Sequence, residues 1–235
     1  MKRNSLYALI GTFAVLITAF TFTNAQEREK RNVDSFTRIS FQTSGTLYLT
    51  QGNTQKVELV GSDDKLRKIE TVVKGDKLII RREGNGWKNW SSSGKLDIYI
   101  TVKNIEGISV GGSGRVMGQN KFKTDDLRLS VSGAGKMELE VDAADVDFSI
   151  SGSGRITISG NADNNDISIS GSGKIDGEEF SCKAIDASIS GSGSCRVNVS
   201  DRIDARISGS GSIYYKGNPS HVNASSSGSG KVKKI

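Results

Sequence analysis

The side chains best suited to gripping a ligand lie in one loop. Trp87 and Trp90 are the two tryptophans of the chain, set in Gly84-Asn85-Gly86-Trp87-Lys88-Asn89-Trp90-Ser91-Ser92-Ser93-Gly94 between two segments of alternating apolar residues. Aromatic rings held in a polar loop can stack on sugar faces or anchor a protein partner. The other reading is that both indoles fold back over the end of the core, the commoner use of a large ring.

A second group is periodic. Asp147, Asp166, Asp186 and Asp204 follow one another at steps of 19, 20 and 18 residues. Stacked carboxylates can collect a cation such as Ca²⁺, which takes several oxygen ligands. The nine-residue Gly-Gly-x-Gly-x-Asp pattern of calcium-binding β-rolls is absent. The sequence therefore favours aspartates that begin strands and keep an edge soluble, and no metal or other cofactor is expected. Serines recur beside them: Ser149 with Ser151, Ser168 with Ser170, Ser188 with Ser190, Ser225 with Ser227. An array of hydroxyls can contact sugars, and it is also what the wet side of a strand looks like. Catalysis has little to work with. His221 is the one histidine and no nucleophile motif accompanies it, so no catalytic residue is assigned. One histidine with Cys182 and Cys195 does not make a zinc site.

The elements that must carry these residues are set by a repeat. Gly-Ser-Gly occurs at 112–114, 152–154, 171–173, 191–193, 209–211 and 228–230, and Gly-Ala-Gly at 133–135. Counted from the first glycine of each copy as position zero, position −4 holds Ile108, Leu129, Phe148, Ile167, Ala187, Ala205 and Ala224. Position −2 holds Val110, Val131, Ile150, Ile169, Ile189, Ile207 and Ser226, and position +4 holds Val116, Met137, Ile156, Ile175, Cys195, Ile213 and Val232. Polar residues stand between these columns. Alternation of this kind is a strand with one buried face, and the glycines mark a bend. A period of about 19 residues is too short for the helical repeats. It predicts an all-β fold: a right-handed parallel β-helix, one coil per repeat, about 34 Å long for seven coils at the strand spacing of a sheet. A sandwich of hairpins fits less well, since hairpins do not call for the same residue at one phase of every unit. The alanines late in column −4 predict a core that narrows or is filled from elsewhere. Both cysteines take core positions, although an oxidising compartment would permit a disulfide. Basic residues at +3 (Arg115, Lys136, Arg155, Lys174, Lys231) would offset the aspartates if they lay nearby.

Residues 1–25 read as a cleaved signal peptide: Lys2 and Arg3, an uncharged apolar run from Leu6 to Phe22, then Ala25. The alternative is a retained anchor at the short limit of a membrane span; after cleavage no span is expected. Residues 26–32 read as a linker and 33–235 as a single domain, with an N-terminal β segment over 33–103 and glycine-marked coils over 104–235. In the N-terminal segment Ser62 is placed to start a helix of about two turns, Lys74-Gly75-Asp76-Lys77 to form a hairpin turn, and the whole to cap the coils. The net charge of +6 falls to +4 without Lys2 and Arg3. The charges are interspersed, with no nucleic-acid-binding module, so no nucleic acid is expected as partner.

Phe36 and Ile39, Ser44-Gly45-Thr46-Leu47-Tyr48-Leu49-Thr50-Gln51-Gly52, Ile69-Glu70-Thr71, Leu78-Ile79-Ile80-Arg81, Leu96-Asp97-Ile98-Tyr99-Ile100-Thr101 and the repeating Ser-Gly-Ser-Gly, in that order, resemble the bacterial head-GIN-domain family of auto-transporter adhesins over roughly residues 33 to 235. The resemblance implies an exported β-helical protein without an assigned activity. The sequence shows no run of strands patterned for an outer-membrane barrel. The expected location is periplasmic, secreted or peripheral at the cell surface. The expected role is non-enzymatic, adhesin-like binding of a surface glycan or protein, with a carbohydrate-active enzyme or a purely structural envelope protein as alternatives.

Overall fold

A computed structural model describes residues 27–84 and 95–235. The segment read as a signal peptide, and the segment that carries Trp87 and Trp90, lie outside these residues.

The chain winds into a β-solenoid of about seven turns of roughly 19 residues. After β1 (Glu27–Lys30), β2 (Arg38–Gln42) and β3 (Thr46–Gln51) come β4 (Lys56–Gly61), the one-turn helix α1 (Asp63–Leu66), β5 (Ile69–Lys74), β6 (Lys77–Arg82) and β7 (Asp97–Val102). The coils follow as β8 (Gly107–Gly112), β9 (Arg115–Gly133), β10 (Lys136–Gly152), β11 (Arg155–Asn161), β12 (Asn164–Gly171), β13 (Lys174–Gly191), β14 (Ser194–Gly209), β15 (Ser212–Lys216), β16 (His221–Gly228) and β17 (Lys231–Lys234). From β8 onward every pairing is parallel and joins equivalent positions of successive coils, as in Phe148 with Ile167 and Ile167 with Ala187.

The three apolar columns point inward. Ile108 through Ala205, Val110 through Ile207 and Val116 through Ile213 are all buried in one continuous core. No coil could bury its apolar side alone; stacking removes it from water coil by coil. The alanines of column −4 are accompanied by Phe180, which packs edge-on against Phe148 with ring centroids 6.1 Å apart.

The two glycines of each bend are needed for different reasons. Gly171 has φ +107°, and a Cβ there would lie 2.7 Å from the carbonyl oxygen of Gly152 below it. Gly173 faces inward, where a Cβ would lie 2.4 Å from Cγ2 of Ile150. The first glycine thus permits a left-handed bend with backbone stacked on backbone, and the second leaves room for the isoleucine of the coil beneath. The residue between them continues the ladder: the Ser172 N–H donates to the Gly152 carbonyl at 2.9 Å.

At the N-terminal end chain order and stacking order part. β2 pairs with β6 on one side and β8 on the other; β3 pairs with β7 and β9. The coil β2–β3 is therefore enclosed between β6–β7, which comes later in the chain, and β8–β9. Below it the ladder turns antiparallel, with β5 on β6, β4 on β7 and β1 on β4. The stretch expected to be a linker, 26–32, includes β1, because β4 offers it a free edge and Glu58 accepts from Arg28 at 3.0 Å. The helix at Ser62 forms one turn instead of two and Ser62 makes no side-chain cap bond; Leu66 ends it by entering the core beside Leu96. The hairpin turn at 74–77 forms as the sequence indicates, with Lys74 opposite Lys77.

Candidate functional site

Alternation leaves the outer faces of the coils to polar residues, and stacking turns them into straight columns. On the face before the bends, Ser149, Ser168 and Ser188 stack at −3 and Ser151, Ser170 and Ser190 at −1. The −5 column runs Arg128, Asp147, Asp166, Asp186, Asp204, Asn223 in register. Three of its four aspartates meet arginines. Arg128 Nε bonds Asp147 at 3.0 Å, Arg206 Nη1 bonds Asp186 at 3.2 Å, and Arg202 Nη1 bonds Asp204 at 2.6 Å. These arginines stand in the column itself or two residues from an aspartate on the same face; among the described residues the +3 cations do not lie near enough to pair with the aspartates. Asp166 in the middle has its carboxyl pushed above the usual range by partial burial and by the charges of Asp147, Asp186 and Asp145. Among the described residues no group of three or more His, Cys, Asp or Glu is arranged to hold a metal ion.

On the other side of the bend the +3 column places Arg115, Lys136, Arg155 and Lys174 on four consecutive rungs. All four are exposed, and among the described residues their charged ends meet no carboxylate. Further along this face, three of four consecutive pairings shift register, between Glu138 and Glu140, Thr157 and Ser159, and Gly177 and Ser181, while β10 and β11 stay in step. The irregularity opens a groove of about 600 Å³ whose lining includes Glu138, Glu140, Asp176, Glu178 and Glu179. Three of those carboxylates hold cations: Glu140 with Lys121 at 3.0 Å, Asp176 with Arg196 at 3.9 Å, Glu178 with Lys216 at 2.8 Å. The hydrogen bond from Lys216 keeps the Glu178 carboxyl below its ordinary range.

The tryptophan loop joins β6 to β7. Its described flanks are placed by pairing: Arg81 lies beside Gln42 and Asp97 beside Thr46. Gln42 and Thr46 flank the bend at Gly45, and Thr46 lies beside Arg115 in the next coil. The described strands on either side of residues 85–94 therefore reach the ridge of the bends, two rungs below the basic column. Near them is a group that alternation did not single out. Tyr48 and Tyr99 stack with centroids 4.9 Å apart, and Arg28 lies over Tyr99 at 5.2 Å. The signal was present in the shared position of the two tyrosines on paired strands, once the pairing is known.

Cys182 and Cys195 are free and buried. Burial pushes the Cys182 thiol up to about 11 and raises Cys195 as well, so neither is an activated thiolate. Asn165 is a buried polar residue in a column otherwise holding Val146, Ile185 and Ile203, and its Oδ1 has no partner. Sequence reasoning missed it because the apolar columns that it read do not include that position.

Comparison with known proteins agrees with this architecture. The profile of the family described as "Putative auto-transporter adhesin, head GIN domain" matches residues 35–219. A crystal structure of a "putative adhesin" from Bacteroides fragilis is similar at 28% identity with a TM-score of 0.83, covering 91% of this chain and 98% of that one. A "Putative lipid binding protein" from Parabacteroides distasonis shares the fold at 22% identity and TM-score 0.72, over 89% of this chain and 96% of that one. A "putative adhesin" from Parabacteroides merdae does so at 21% identity and TM-score 0.71, again over 89% and 96%. No curated protein matches the chain.

Proposed function

The chain belongs to the head GIN domain family, and we propose that it is an exported, non-enzymatic, adhesin-like protein that binds a surface glycan or protein. The observation that carries this reading is the set of straight polar columns on a rigid stack. Serines, aspartates and basic residues repeat at the strand spacing over many coils, which gives an extended partner many equivalent weak contacts. The leader, with Lys2, Arg3 and the apolar run to Phe22, supports export. Trp87 and Trp90 supply the aromatic contact in this reading, in the segment between β6 and β7.

A glycoside-cleaving role has less support. A general acid for that chemistry needs a carboxyl with raised proton affinity in a cleft. The groove holds Glu178, which is shifted the other way, while Asp166, which is raised, stands on the open sheet face.

The test is a glycan-array and cell-binding comparison of the protein with its Trp87→Ala/Trp90→Ala variant. Binding is expected to weaken by about tenfold or more, as for loss of a central aromatic anchor, with the circular dichroism of the fold unchanged. Equal binding by both proteins removes the tryptophans from the site.

A further inference from the structure

We propose that the ridge of bends binds a linear, negatively charged polysaccharide, and that Arg115, Lys136, Arg155 and Lys174 hold it. This names a ligand class for the glycan-binding reading above and rests on it, but it uses none of the residues of the tryptophan segment.

The four cations occupy consecutive rungs of one parallel ladder, with Thr46 before them and Ser194 after them. At the strand spacing of a sheet they span about 14 Å in a straight line. Each is exposed, while most of the arginines around them are engaged, as Arg128, Arg196, Arg202 and Arg206 are. A row of like charges on a rigid stack repels itself, and a partner that brings one anion to each rung relieves that repulsion along the whole row. Two residues before each cation stands an exposed bend residue: Ser113, Ala134, Ser153 and Ser172. On the far side of the bend runs the −1 column of Ser132, Ser151 and Ser170. A line of cations bordered by hydroxyls, which both donate and accept, is complementary to a sugar chain carrying carboxylates or sulfates among its own hydroxyls. Glu138 and Asp176 lie on the groove side of the cations, so the ligand runs on the bend side.

Other anionic partners fit less well. Single-stranded nucleic acid is held by aromatic platforms that stack its bases; the bend residues beside the cations are Ser113, Ala134, Ser153 and Ser172, and the Tyr48–Tyr99 stack lies on the groove side, where Tyr48 pairs with Met117. A membrane surface needs apolar anchors beside the charge. The large exposed apolar side chains among the described residues are Tyr99, Val222 and Ile235, none of them in the basic column.

Binding of the purified protein to polygalacturonate is to be measured by calorimetry across a salt series. Dextran serves as uncharged control, with phosphatidylglycerol vesicles and oligo-dT as other polyanions. Polygalacturonate is expected to bind with affinity that falls as salt rises, and dextran is not. Arg115→Ser/Lys136→Ser/Arg155→Ser/Lys174→Ser should lose at least about tenfold, since four modest exposed contacts act together. Swapping arginine and lysine at the four positions should retain binding. Removing the same charge elsewhere, with Lys30→Ser/Lys77→Ser/Lys103→Ser/Lys123→Ser, should change it by no more than about twofold. Equal losses in the two serine variants, an unaffected ladder variant, or tighter binding to vesicles or oligo-dT each overturn the proposal. So does loss of polygalacturonate binding in Trp87→Ala/Trp90→Ala alone. Retention in that variant upholds the ridge whatever becomes of the loop.

Discussion

The two ends of the solenoid are finished differently. At the N-terminal end β4, β5 and β1 run antiparallel beneath the last parallel coil, and Leu66 and Leu96 are buried in the core. At the other end, among the described residues, β16 and β17 each pair on one side only, and all eight residues of β16 are exposed. The inward columns end there in Ala224, Ser226 and Val222, the last 42% exposed. The bend geometry at this end is nonetheless that of the interior coils. Gly228 has φ +126°, and a Cβ there would lie 2.4 Å from the carbonyl oxygen of Gly209, against 2.7 Å for Gly171 over Gly152. The lesson is that local conformation in a stacked fold is dictated by sequence at each coil, whereas stability depends on how many neighbours a coil has.

Matched substitutions put the largest strain on that contrast. Gly171→Ala places a Cβ against a carbonyl at positive φ in a coil held from both sides, and should cost about 3 kcal/mol. Gly228→Ala has the same geometry in a coil held from one side, and should cost less than about 1 kcal/mol of global stability because that coil opens on its own. Urea unfolding combined with amide exchange resolved by coil checks both. Equal losses would mean that the stack unfolds as one unit.

Acid sharpens the contrast in the opposite sense at two places. Glu58 is held below its ordinary range, chiefly by its hydrogen bond from Lys56 and also by Arg28. Its contribution is therefore full above the carboxyl's unfolded-state value and is lost as pH falls through the lower folded-state value. Glu58→Gln should speed amide exchange in β1 and β4 at neutral pH by roughly two- to fivefold, with little difference from the parent in strong acid. Asp166 behaves inversely. Its carboxyl is raised, so its ionised form costs stability above that raised value, and the cost disappears below the unfolded-state value. Asp166→Asn should gain at most about 0.5 kcal/mol at neutral pH after solvent screening, and nothing in acid. A thermal-melt series over pH measures it. A loss on substitution would show the aspartate column to be held together by something other than its arginines.

The coils were legible because alternation and glycine phase are local. Ile150, Ile169 and Ile189 can be assigned to one buried column without knowing any pairing. The groove was not, because register shifts at Glu138, Thr157 and Gly177 break the count of residues on that side of the coil. The order at the N-terminal end was not legible either. Nothing near Phe41 or Leu47 says that Ile80 and Ile98 will lie under them, since strand pairing over such separations leaves no local mark. The basic residues of the +3 column were visible, but whether they lie near the aspartates was not: they stand across the bend, and Asp147, Asp186 and Asp204 pair with Arg128, Arg206 and Arg202 instead. Trp87 and Trp90 remain readable only through their roots on β6 and β7.

Because each bend stacks on another of the same shape, a recombination that drops or doubles one coil's codons leaves the new neighbours matched. Joining Gly152 directly to Ser172 would still set glycine on glycine, and would delete Asn165, with its unpartnered Oδ1, as well. Length is thus a heritable trait that can drift apart from surface chemistry. A lineage could lengthen or shorten its rod in single coils and keep the same fold.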